Sequence, residues 1–275
     1  MKSIFISILM FVLVSWAHAE PAIISGPDKS LVVSVSNNEL GSILYSVTFK
    51  GKVILEDSPL GMITNVSDFS QGLTLVGTQK NVVDKHYIEN RIKRKQVHYQ
   101  ANELVLTYEN SKKEKMSITF NVSKNDVAFK YSLAQNGETA RCIIEKELTG
   151  FDFPSFTTTF LTPQASPMIG WMRTKPSYEE EYVPDEPVGT ASKYGMGYTF
   201  PGLFHVGNNG WALVSETGVR SLYCGSKLSE GSKDGLYRIA FPEMGENNGI
   251  GSACPAISLP GETPWRTITI GDNLK

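Results

Sequence analysis

The sequence predicts an all-β protein, an antiparallel sandwich of two stacked sheets, and three observations carry that prediction. Apolar and polar residues alternate with period two through most of the chain, the pattern of strands that bury one face. Short turns rich in Gly, Pro, Asn and Asp separate the alternating runs. No stretch carries the periodicity of an amphipathic helix of any length, so packed sheets are the architecture left.

The first segment stands outside that pattern. Lys2, an apolar run from Ile4 to Trp16 and the ending Ala17-His18-Ala19 form the charged start, hydrophobic middle and small-residue cleavage site of a secretory signal peptide. Residues 1–19 are expected to be removed, leaving residues 20–275 as one soluble, exported domain. The apolar run is short for a membrane span, which needs roughly 20 residues, and no later stretch approaches that length. No membrane partner is expected. No cysteine follows the cleavage site to carry a lipid anchor. A chain of 275 residues fits two small domains or one large all-β domain, and the absence of a linker or repeat favours one.

From Leu31 onward the strands follow in order. Ile43, Tyr45, Val47 and Phe49 alternate with Leu44, Ser46, Thr48 and Lys50, and Lys50-Gly51-Lys52 turns the chain into Val53-Ile54-Leu55 as a hairpin. Pro59, Leu60 and Gly61 mark the next turn, and Leu73 to Thr78 is extended. The charged run Asp84 to Lys95 reads as a solvated edge strand or loop, because charges there discourage edge pairing. Leu104 to Tyr108, Met116 to Val122 and Val127 to Leu133 then alternate again, with polar turns at Asn110 to Lys113 and Ser123 to Asp126, which makes the middle of the chain an antiparallel meander. Arg141 to Thr149, Tyr237 to Phe241 and Pro264 to Ile270 are further strands, and Gly245 to Gly251 is a loop.

Composition excludes several functions. Twenty-six basic and 28 acidic residues give a net charge of −2, so there is no basic surface for nucleic acid. Cys142, Cys224 and Cys254 show no metal or redox spacing; in an oxidising compartment Cys224 with Cys254 is the preferred pair, and the alternative is three buried small hydrophobes. A nucleophile elbow, a phosphate loop and a metalloprotease helix motif are all missing.

The functional content concentrates between Ser177 and Tyr223. Glu179, Glu180 and Glu181 stand in a row, flanked by Tyr178 and Tyr182 and followed by Pro184 and Pro187, so this segment is a loop. It feeds a hairpin of Tyr198 to Val206 and Trp211 to Ser215, with Asn208, Asn209 and Gly210 read as a tight primed turn. The loop glutamates, with Glu216, offer hard oxygen ligands to calcium, although a charge run is more often a solvated face. Trp171, Tyr178, Tyr182 and Trp211 offer faces to a sugar ring or to a second domain. His98, His205 and Glu216 make a conceivable acid/base set, but His205 lies in an apolar strand and reads better as structural.

Ser58-Pro59-Leu60-Gly61, Ser177-Tyr178-Glu179, Gly197-Tyr198-Thr199-Phe200-Pro201, Gly210-Trp211-Ala212-Leu213-Val214-Ser215-Glu216-Thr217-Gly218 and Thr263-Pro264-Trp265-Arg266 to Asp272 resemble, in this order, the N-terminal domain of glycoside hydrolase family 97. The resemblance implies a galactose mutarotase-like β-super-sandwich from an exported bacterial α-glucosidase or α-galactosidase, located in the periplasm or outside the cell. It implies a partner, a (β/α)8 barrel that begins beyond Lys275 and holds the catalytic carboxylates, so no catalytic residue is assigned here and this chain is expected to be inactive alone. It also implies a calcium site completed by the barrel, to which Glu179 lends a carboxylate with Glu180 as neighbour and Glu216 as the lesser candidate; without the barrel, calcium binding should be weak. Self-association through residues 168–198 is the expected behaviour of the domain by itself. Two other readings stand beside this one: a free-standing exported protein that binds an α-linked oligosaccharide, and an aldose-epimerase-like enzyme using the histidines.

Overall fold

The computed structural model describes residues 20–90, 95–165, 181–231, 233–245 and 252–274. Among them there is no α-helix, and the strands pair antiparallel throughout.

Strands β1 (Ala22–Ser25), β2 (Leu31–Asn37), β3 (Ile43–Phe49) and β4 (Lys52–Leu60) form a sheet in sequence order. In β3 the alternation predicts burial without exception: Ile43, Tyr45, Val47 and Phe49 are buried and the residues between them are half-buried. Lys50 and Gly51, at φ 50° and 76°, carry the turn from Phe49 to its partner Lys52. Two consecutive positive φ angles are what a two-residue hairpin loop requires, because that geometry matches the strand twist.

Next come β5 (Met62–Thr64), β6 (Asp68–Phe69), β7 (Thr74–Ile88), β8 (Gln96–Glu109), β9 (Lys115–Val122) and β10 (Asp126–Leu133). The last three are the expected meander, and β7 extends it by pairing with β8. β7 runs ten residues past Thr78, to Ile88, so much of the charged run belongs to a long hairpin with β8 and lies on the edge of the sheet. Toward its free end both faces of β7 meet water, which is why apolar alternation stops marking a strand whose pairing continues.

The remaining strands are β11 (Arg141–Glu147), β12 (Gly150–Asp152), β13 (Thr158–Phe160), β14 (Glu186–Pro187), β15 (Gly202–His205), β16 (Trp211–Thr217), β17 (Lys227–Leu228), β18 (Leu236–Ala240), β19 (Ala256–Ser258), β20 (Gly261–Glu262) and β21 (Trp265–Gly271). One large sheet runs in the order β14-β13-β15-β16-β21-β10-β9-β8-β7, with β20 paired beside β10. The last strand of the chain therefore sits at the centre of this sheet.

The opposing layer is divided among three small sheets: β1 to β4; β19-β11-β5-β6; and β12-β18-β17. Each is fastened to the inner face of the large sheet by identifiable side chains. Tyr45 packs on Phe120 and Phe129, with ring centroids 6.1 and 5.3 Å away. Its hydroxyl donates to the Gly150 carbonyl at 2.9 Å, so the ring is buried without stranding its polar end. Tyr131 accepts from the Gly61 amide at 3.2 Å and shares a 2.7 Å hydrogen bond with Thr149. Phe153 stacks on Phe204 at 3.9 Å, and Tyr237 meets Phe204 edge-on at 5.3 Å.

Two local expectations are corrected. The hairpin β15–β16 exists, but its first strand is only Gly202–His205, and its connection is a 3-10 turn over Gly207–Asn209 rather than a primed turn. The positive φ angles fall on Gly207 and Gly210, at 48° and 130°, and not on the asparagines. All three cysteines are free, with Cys142 buried and Cys224 and Cys254 half-buried, so the preferred pairing is not formed. Burial pushes the Cys224 thiol up to about 11, which makes it a poor nucleophile.

Candidate functional site

The acidic loop enters the described structure at Glu181. Trp171, Tyr178, Glu179 and Glu180 lie outside the described residues. Glu181, Tyr182 and Val183 are exposed. Asp185 takes φ 55°, and its carboxylate accepts from the Thr158 hydroxyl at 3.1 Å. β14 then adds to β13, which places residues 181–185, the described end of the loop, at one edge of the large sheet, opposite β7.

From there to β15 the chain is irregular but held. The Glu230 carboxylate accepts from the backbone amides of Ser192 at 2.8 Å and Gly197 at 2.7 Å, and from the Ser192 hydroxyl. Gly197 sits at φ 80°, and a Cβ there would lie 2.1 Å from the Leu228 carbonyl oxygen, so no other residue fits. The Tyr198 hydroxyl donates to the Thr190 carbonyl at 2.9 Å, and the Gly189 amide donates to Tyr237 at 3.0 Å. Sequence reasoning missed Ser192 and Glu230, because a lone glutamate 33 residues from its amide partner leaves no local pattern.

On the outer face of the same region, Trp211 stacks on His205 at 4.1 Å and 12°, and Phe160 leans against it at 5.6 Å. All three are half-buried. One face of the indole is thus already covered by an imidazole, and His205 is accounted for by the stack.

The inner face carries a buried charge network. Arg266 of β21 is fully buried and grips Glu147 with two parallel bonds, Nε to Oε1 at 2.9 Å and Nη2 to Oε2 at 2.6 Å. Its Nη1 reaches Glu216 and, at 2.8 Å, the Ser226 hydroxyl. Glu216 also accepts from the Ser226 amide at 2.9 Å, and Tyr223 donates to Glu147 at 3.2 Å. Burial is the largest influence on Arg266 and acts to lower its pKa; the Glu147 charge and hydrogen bonds, with Tyr223 and Glu216, outweigh it and raise the value. Such a set of bonds on a planar guanidinium is what a buried cation needs to remain charged.

This geometry settles where Glu216 stands. Both of its oxygens are engaged, by Arg266 and by the amide and hydroxyl of Ser226, which places it in this buried network rather than on the acidic loop. The set His98, His205 and Glu216 is not assembled. His98 on β8 and His205 on β15 are five strand spacings apart, about 24 Å at roughly 4.8 Å each. Glu216 points inward while His205 lies on the outer face, so no shared acid/base site exists among them.

A shallow acidic hollow lies between β3, β4 and β12, lined by Glu56, Asp57 and Asp152 among others. Burial, then the charge of Glu56, pushes the Asp152 carboxyl up to about 6. Its Oδ1 meets no protein donor.

One large antiparallel sheet covered by three small ones defines the class, a β-super-sandwich domain whose inner carboxylates are engaged in packing. The chain belongs to the Glycosyl-hydrolase 97 N-terminal family, which matches residues 24–275. It is similar to a β-arabinopyranosidase of known structure, with 53% identity and a TM-score of 0.90 over 92% of this chain and 40% of that one. A glycoside hydrolase family 97 enzyme from Pseudoalteromonas sp. strain K8, solved in complex with panose, shares the fold with a TM-score of 0.76 at 22% identity, over 92% of this chain and 36% of that one. Among curated proteins it is similar to the "Probable retaining alpha-galactosidase" of Streptomyces bingchenggensis (strain BCW-1), 25% identical over 94% of this chain and 36% of that protein. The chain therefore spans well under half the length of these relatives.

Proposed function

We propose that this chain is the non-catalytic β-sandwich module of an exported family 97 glycoside hydrolase and that it works packed against a catalytic barrel. The observation that carries this reading is the coverage: the family match runs from residue 24 to 275, yet the chain spans only 40% of the β-arabinopyranosidase and 36% of the alpha-galactosidase. The module supplies a wall and an attachment surface, and its acidic loop, with Glu179 and its neighbour Glu180, lends a carboxylate to calcium at the barrel. Tyr182, beside the loop, and Trp211, on the outer face with Phe160 against it, are described aromatics on this side. They belong to the surface that meets the barrel.

The similarity to a β-arabinopyranosidase and to a retaining alpha-galactosidase supports a pyranoside substrate for the assembled enzyme. β-L-Arabinopyranosides and α-D-galactopyranosides have the same ring stereochemistry and differ by one exocyclic hydroxymethyl group. Export rests on the signal-peptide pattern of residues 1–19, which lie outside the described residues.

The test is a graft. Residues 20–275 alone should not hydrolyse nitrophenyl β-L-arabinopyranoside or α-D-galactopyranoside. The same residues, replacing the corresponding domain of the similar β-arabinopyranosidase, should give a folded, active enzyme whose calcium-dependent stability drops in Glu179→Gln. Turnover by the isolated chain, or a graft that never folds, would overturn the proposal.

A further inference from the structure

We propose that Asp84, His86 and His98, on the free end of the β7–β8 hairpin, form a binding site for a divalent transition-metal ion, independent of the calcium role above. The strand pairing builds the site. His86 lies directly opposite His98 in the register, and Asp84 lies two residues before His86, on the same face. The imidazoles stack at 3.9 Å and 17°. The Nε2 atom of His98 is 2.8 Å from Asp84 Oδ1, and that of His86 is 3.7 Å from the same oxygen. All three donor atoms lie within 4.8 Å of one another.

Zinc bound by nitrogen and oxygen at about 2.0–2.2 Å in a tetrahedron needs donors roughly 3.3–3.5 Å apart. The two measured separations bracket that value, so small side-chain rotations place an ion between the three groups. The outer carboxylate oxygen is already held by the Gln100 amide at 3.1 Å. An outer hydrogen bond of this kind orients a ligating carboxylate. That bond, first, and the one from His98 keep the Asp84 carboxyl below its ordinary range, so it is ionised at neutral pH. Two imidazoles and one carboxylate suit zinc, nickel or copper; calcium, which takes six to eight oxygens, does not fit.

A solvated His-Asp pair is the alternative, and it explains His98. It does not explain why a second imidazole is stacked on the first with its Nε2 turned to the same oxygen. The three side chains are 43 to 74% exposed, so an ion has an open path and its fourth position is left to water.

The experiment is calorimetric titration of zinc chloride into the chelator-treated chain. One equivalent should bind with micromolar affinity. His86→Ala and His98→Ala should each weaken binding by about tenfold or more, the loss that even outer-shell changes cause, while excess calcium should not displace the zinc. Circular dichroism on each variant separates lost binding from lost folding, since the positions are exposed. Absence of binding at millimolar zinc, or equal binding by the His86→Ala/His98→Ala double variant, would overturn the proposal.

Discussion

Arg266 and Glu147 face each other across the two layers of the sandwich in a two-pronged ion pair that excludes solvent from both side chains. One residue belongs to the central strand of the large sheet and the other to β11, so the pair ties a small sheet to the large one. Breaking a buried pair leaves an uncompensated charge, and Arg266→Met or Glu147→Gln should each destabilise the domain by roughly 3–5 kcal/mol. Glu216, with its side chain 12% exposed, should matter less. Urea unfolding of the three variants measures the order; a loss in Arg266→Met smaller than that in Glu216→Gln would contradict it.

Asp152 predicts a pH effect with a definite sign. Its folded-state value is raised from 3.8 to about 6, so the folded protein binds the proton more tightly than the unfolded chain. Stability contributed by the protonated carboxyl is fully present below about pH 4, declines between 4 and 6, and is lost above 6. Because the side chain is partly exposed, solvent screening holds the effect to about 1 kcal/mol. Asp152→Asn should therefore stabilise the domain at pH 7 and flatten its stability between pH 4 and 6, as thermal unfolding across that range would show.

Gly51 and Gly197 both take positive φ angles, 76° and 80°, but differ in surroundings. An added Cβ at Gly51 meets nothing within 4 Å, whereas at Gly197 it collides with a carbonyl oxygen. Gly51→Ala should cost about 1 kcal/mol of backbone strain. Gly197→Ala should cost several times more and loosen the segment that Glu230 holds. Melting temperatures, with hydrogen exchange of the Gly197 region, check both.

Tyr182 and Val183 are each more than half exposed beside the acidic loop. An apolar surface left without its partner favours self-association. Sedimentation of residues 20–275 should show mass rising at micromolar concentration, and a Tyr182→Ser, Val183→Ser variant should remain monomeric. Equal association by both would remove this surface from consideration.

The sheets were legible in the sequence wherever one face is buried. β2, β3, β9, β10 and β21 alternate cleanly because the inner face of each packs on another layer. The outer half of β7 did not announce itself, since a strand wet on both faces carries no apolar period. The two-residue strands β6, β14, β17 and β20 are too short for any pattern and form because their neighbours already lie in place. The candidate site was legible as a family resemblance and as a run of carboxylates. Its supports were not: Arg266 reads as one basic residue in a strand, and only the fold brings it to Glu147, 119 residues away.

β21 enters between β16 and β10, and in doing so joins the two halves of the large sheet. During synthesis, therefore, the meander and the β13–β16 group can each form early, but their union waits for residues 265–271 to be made. Until then both halves display raw edges to any neighbouring nascent chain. The interval between making β10 and making β21 is therefore the period in which edge pairing between copies is expected to be strongest. Interrupting synthesis just before Trp265 would trap two half-sheets, while interrupting it after Gly271 would release a joined one.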